Sequence, residues 1–154
     1  MAAYLTVAQF RLRTTMPQSD VDALEVSDPG FLDAQLTSWS SRIDAQLSKR
    51  YAAPFASPVP EIVLEWLTRC VTVRAYLKRG VNPSDEQFAA IKEDAEAALK
   101  EVEAAANSQT GLYDLPLRSD TTASGITKGG PLAYSEQSPY VWADYQRQDA
   151  EDYQ

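Results

Sequence analysis

Histidine is absent from the 154-residue chain, and Cys70 is its single cysteine. Without histidine there is no Ser-His-Asp or Cys-His catalysis, no facial iron triad, and no side chain of the kind most used as a general acid or base near neutral pH. One cysteine excludes an internal disulfide and every multi-cysteine zinc pattern. No apolar run approaches the roughly 18–20 residues that span a bilayer. The N-terminus lacks a charged region followed by a hydrophobic one, so the chain is expected to stay in the cytosol where it is made, or in a particle assembled there. Positive charge is scarce as well: 14 Lys and Arg face 22 Asp and Glu, giving a formal net charge of −8. That balance disfavours a phosphate-neutralising groove, so sequence-specific nucleic-acid binding is not expected. A wall that repels passing DNA remains compatible with it.

What is present is helical periodicity. Thr6 with Gln9 three residues later is a capping box, predicting a short helix that stops before Pro17. Residues 19–25 suggest a further short turn of helix. Asp28 as cap and Pro29 at the first position open a longer helix, with Leu32, Leu36, Trp39, Ile43 and Leu47 on one face and Lys49 and Arg50 closing it. Tyr51 to Pro60 then holds three prolines in seven residues. It reads as a stiff connector anchored by Tyr51 and Phe55 and stiffened by Pro54, Pro58 and Pro60. A third strong pattern runs from Glu61 to Arg79 through Ile62, Val63, Trp66, Leu67, Cys70, Val73 and Leu77, and Gly80 stops it. Ser84 and Gln87 form another capping box before a helix to about Ala106, which carries seven carboxylates and two lysines over residues 85–106, with Glu96 four before Lys100.

After Asn107 the periodicity vanishes while aromatics persist. The expectation is therefore an all-α fold: a small bundle of about four helices over residues 1–106, and an extended, partner-ordered C-terminal arm over residues 107–154. Purely disordered tails are poor in aromatics. Tyr134, Tyr140, Trp142 and Tyr145 accordingly suit docking into a partner or folding back onto the subunit's own helices.

Candidate chemistry is thin. Cys70 falls on the apolar stripe four after Trp66 and has no histidine to activate it, so it reads as a small buried hydrophobe. The carboxylates cluster on a solvated helix face, with nothing to mark a catalytic pair. Asp20 and Asp22 lack the glycine and glutamate of a calcium loop. Residues 125–130 lack the Gly-Lys-Ser/Thr order of a phosphate loop. Trp39 and Trp66 lie on apolar faces and read as core. Neither an enzyme nor a cofactor is expected.

Order and punctuation over residues 4–106 resemble the tailed-phage head–tail connector adaptors, the head-completion proteins. The similarity runs from Tyr4-Leu5-Thr6, through Ile43-Asp44 and Arg50-Tyr51, to Pro54-Phe55 and Pro58-Val59-Pro60. It continues through Arg74 and Tyr76 into a charged final helix. The resemblance implies a non-catalytic subunit of a ring, commonly twelvefold, seated on the portal protein. Such a ring lies at the head–tail interface of the virion, presents a docking surface to the tail-side protein, and lets DNA pass through. It also implies lateral contacts, for which Arg69 and Arg74 of one subunit would meet Glu96 and Glu103 of its neighbour. The competing reading is a free-standing helical binding module, a regulator or inhibitor that grips a partner with the 107–154 arm. In the adaptor reading, residues 107–154 are expected to be cut readily by protease in the isolated subunit and protected in the assembly. Equal protection in both states would count against it.

Overall fold

The computed structural model describes residues 3–80, 86–108 and 115–118. Its described residues are all-helical in their regular structure, with five helices in the order α1 (Val7–Arg13), α2 (Gln18–Ser27), α3 (Phe31–Leu47), α4 (Glu61–Arg79) and α5 (Glu86–Asn107). The short turn expected over 19–25 is a full ten-residue helix, which brings the bundle to five.

The Thr6–Gln9 capping box forms as expected at the head of α1. The start of α3 differs from expectation. Asp28 ends α2 rather than opening α3, and Gly30, at φ +83°, is the residue before the first helical turn. A left-handed residue lets the chain reverse between two helices with only two residues spare, which glycine does without a Cβ penalty. Gly80 takes the same φ at the C-terminus of α4, where its N–H is donated to the Leu77 and Tyr76 carbonyls. The Ser84 cap expected for α5 lies outside the described residues.

Helix α4 is the centre of the bundle and is contacted by each of the other four helices. Val63, Trp66, Leu67, Cys70, Val71 and Ala75 are buried and form the broad inward face of the helix. Thr68 and Thr72 are buried too, and their hydroxyls donate at 2.8 Å to the Leu64 and Thr68 carbonyls of the same helix. That back-bonding lets a polar residue sit in a core without an orphaned group. Leu32, Leu36, Trp39, Ile43 and Leu47 of α3 are all buried, as their spacing predicts. Leu77 departs from its stripe: it is exposed, in the last turn of α4.

The chain after α5 returns to the connector. Tyr51 and Leu117 form an isolated antiparallel bridge, with the Ala52 N–H donated to the Pro116 carbonyl at 2.8 Å and the Arg118 N–H to the Arg50 carbonyl at 3.0 Å. Leu115 is buried in the main core. Residues 115–118 thus pack on their own subunit, so in the isolated chain that short stretch is expected to resist protease.

Replacing Gly30 by alanine tests the turn. No atom lies within 4 Å of the new Cβ, so any cost is backbone strain alone. Chemical denaturation is expected to show a loss of about 1–2 kcal/mol.

Candidate functional site

Three surface and near-surface clusters hold the residues singled out above. The first is the connector. Tyr51 is fully buried, and its hydroxyl donates to the Ala105 carbonyl at 3.2 Å, pinning the connector to the end of α5. Phe55 is buried with its ring centroid 6.1 Å from that of Tyr4. Between them runs a short relay: the Phe55 N–H donates to the Tyr4 oxygen at 2.9 Å, and the Tyr4 hydroxyl donates to Asp44 Oδ1. The Tyr4 N–H is donated to Ser40 Oγ at 3.2 Å. Pro54 and Pro58 are exposed, each following a cis peptide bond, while Pro60 precedes α4 and its carbonyl accepts the Val63 N–H at 3.0 Å. Arg50, expected to be a cation at the close of α3, is instead buried. Its guanidinium donates to the Ser108 carbonyl and lies 5.9 Å from the Tyr51 ring centroid. The physical reason is position: α3 ends at Leu47, and the next turn of chain carries residue 50 inward with Tyr51.

Asp44 is only 4 % exposed, and its Oδ2 meets no donor among the described residues. Burial raises its carboxyl above the ordinary carboxylate range, and the hydrogen bond from Tyr4 opposes that rise without cancelling it. Burial, joined by the bond to Asp44, pushes the Tyr4 phenol up.

The second cluster surrounds Arg69. Its guanidinium is bonded to Glu65 one turn earlier on α4 and lies 3.5 Å from both Asp94 and Glu101 of α5. Burial lowers its affinity for the proton, but the carboxylates of Asp94, Glu65 and Glu101 outweigh that and hold it above its ordinary value. Glu101 also accepts the buried Trp66 indole N–H at 2.7 Å. The acids that Arg69 meets are therefore those of its own α4 and α5, and the cluster clips the two helices together. Thr72, whose hydroxyl meets that of Thr14 at 2.8 Å, continues this seam with Tyr76 and Ile91 into an open groove of about 760 Å³ bordered by the exposed Arg13–Glu61 pair. Glu96 pairs with Lys92 at 3.7 Å rather than with Lys100, and Glu103 is exposed on the outward side of α5.

The third cluster was not assembled by sequence reasoning, although Arg74 belongs to it. In a groove between α3 and α4, the Arg42 guanidinium carbon lies 4.7 Å and that of Arg74 6.0 Å from the Trp39 ring centroid. Lys78 Nζ lies 5.3 Å from the Phe31 ring centroid, and Lys78 is paired with Asp28 at 2.7 Å. Gln35, Ser38 and the exposed Leu77 complete a lining that contains no Asp or Glu. Each cation–π contact at such a partly exposed site is worth about 0.5–1 kcal/mol. Arg42 and Trp39 are three apart, and Arg74 and Lys78 four apart, so the spacing signal existed within each helix. Only the α3–α4 pairing joins the two.

Cys70 is buried, and burial pushes its thiol up to about 11, away from the thiolate that reactive cysteines require. Among the described residues no three His, Cys, Asp or Glu side chains converge as metal ligands, and no helix is long and apolar enough to cross a membrane. Tyr134, Tyr140, Trp142 and Tyr145 lie outside the described residues.

The raised carboxyl of Asp44 sets a pH dependence. The native state holds that proton more tightly than the unfolded chain, so its contribution is full below the ordinary carboxylate range. It is lost as pH rises through the raised value. Asp44→Asn keeps an oxygen for Tyr4 and removes the charge. Denaturation against pH is expected to show this decline in the wild type and not in the variant. Asp44→Ala, which leaves the Tyr4 hydroxyl without its acceptor, is expected to cost about 1–3 kcal/mol. At the second cluster, Arg69→Gln is expected to lower stability by about 1 kcal/mol at low salt, with the difference shrinking as salt is added. Comparison with known proteins finds no matching family model, no matching curated protein and no matching solved structure.

Proposed function

We propose that this chain is a structural head–tail adaptor of a tailed phage or phage-like particle, one subunit of a ring set between the portal and tail components and lining the DNA passage. The observation that carries the reading is a pair of unlike surfaces on one small bundle. One is a groove between α3 and α4 lined by Arg42, Arg74 and Lys78 with no Asp or Glu in the lining itself, Lys78 being paired with Asp28 beside it. The other is the outward side of α5, where Glu93, Glu96 and Glu103 are exposed. Unlike surfaces on one subunit suit a heterologous contact, in which each copy offers one face to the next and the assembly closes if the rotation per step divides a full turn.

The resemblance supplies the rest of the reading, and the residues that carry it have a common physical task. Tyr4, Asp44, Tyr51 and Phe55 meet at the connector and hold the proline segment against the bundle. A fixed connector suits a subunit that must present its faces at a constant angle to its neighbours. The net charge of −8 suits a passage that repels DNA rather than binding it.

Mixing the purified chain with portal rings and imaging them by negative-stain microscopy is expected to show an added annulus of density on the tail-side face. Consistent failure to bind, together with a stable one-to-one complex with some other protein, would replace this reading with that of a free-standing binding module.

A further inference from the structure

We infer that the groove around Trp39 is the cationic half of a head-to-tail contact, and that its occupant is the acidic outward side of α5 from a second copy of this chain. The inference rests on the adaptor reading for closure into a ring; the contact itself rests on the charges of the two surfaces.

The groove's chemistry asks for an acidic partner. Arg11, Arg13, Arg69 and Arg79 each have a carboxylate within their own chain. Arg42 and Arg74 have none among the described residues, although both are exposed and lie on the same indole. Two guanidiniums gathered at one ring repel each other, and a carboxylate between them relieves that repulsion. Trp39 itself is only 8 % exposed, so what the groove offers is guanidinium edges and not an open ring face. Side chains already restrained against an aromatic lose less freedom when they engage a charged partner.

The outward side of α5 fits this requirement. Ala95, Ala98, Val102 and Ala105 are buried, which places the opposite side of the helix in solvent. That side carries Glu93, Glu96 and Glu103, together with Lys92 and Lys100. Lys92 is paired with Glu96 at 3.7 Å, while Glu93, Glu103 and Lys100 have no ion-pair partner among the described residues, which leaves this side one negative charge in excess. Ala97 and Ala104 lie exposed on the same side, and their small side chains let a neighbouring surface approach closely. A polyanion such as DNA is the poorer occupant, because the chain's overall negative charge opposes its approach.

The test uses the full-length chain in sedimentation velocity over a concentration series at low salt. The wild type is compared with R42E/R74E, with E93R/E103R and with the variant that combines all four changes. Either reversal alone is expected to weaken self-association by about tenfold or more, and the combined variant to restore it. Added salt is expected to weaken the wild-type contact. The four positions are exposed, and circular dichroism checks that each variant folds. Should a reversal unfold the chain, the milder R42Q/R74Q and E93Q/E103Q variants are expected to weaken association in the same direction.

A wild type that stays monomeric at millimolar concentration overturns the inference. So do reversals without effect, or a combined variant that fails to recover. Binding of short duplex DNA that R42Q/R74Q abolishes also overturns it, because the groove would then serve phosphate. The two readings separate cleanly. Self-association through this pair with no annulus on the portal sinks the adaptor reading and spares the contact. An annulus that survives both reversals sinks the contact and spares the adaptor.

Discussion

The broad buried face of α4, packed on by all four other helices, is the constraint from which the rest of the molecule follows. Such a face must carry apolar or small residues, and any polar group on it must find a partner within reach. Thr68 and Thr72 meet that demand through carbonyls of their own helix, and Trp66 meets it through Glu101. Ala95, Ala98, Val102 and Ala105 set the inward side of α5, with the Trp66–Glu101 bond beside them. Once that side is set, Glu93, Glu96 and Glu103 have nowhere to go but solvent.

The connector solves a second problem, that of joining α3 to α4 through a segment too rich in proline for either helix or sheet. Its backbone needs hydrogen bonds from elsewhere. The hydroxyl of Tyr4 accepts from Phe55, and residues 116 and 118 bond to Ala52 and Arg50. A buried carboxylate, Asp44, anchors the first of these, at the energetic cost seen in its raised proton affinity. The bundle therefore gives up some stability near neutral pH in order to fix the path of one loop.

Charge is distributed with the same economy. Arg11, Arg13, Arg69 and Arg79 are tied to carboxylates of their own chain, three of them between helices beyond the α4–α5 clip: Arg11 with Asp22, Arg13 with Glu61, Arg79 with Asp20. Exposed pairs of this kind contribute little each to stability. They cancel charge where they form, while Arg42 and Arg74 in the groove and Glu93 and Glu103 on the outer side of α5 have no ion-pair partner among the described residues.

Periodicity determined where α3, α4 and α5 run, because apolar residues at steps of three and four are a local property of the chain, and the Thr6–Gln9 capping box marked α1. Local sequence also identified the α3 stripe, the span of α4, the proline connector with its two aromatic anchors, and the burial of Cys70. Tertiary structure decided what depends on which helix lies beside which. Arg69 is as far from Asp94 in sequence as a charge on another chain would seem, and only the α4–α5 packing shows that its carboxylates are in its own subunit. Arg42 and Arg74 stand 32 residues apart, and nothing local joins them. They meet because α3 and α4 pack side by side and Trp39, a core residue by its spacing, lies close enough to the edge for two cations to reach it.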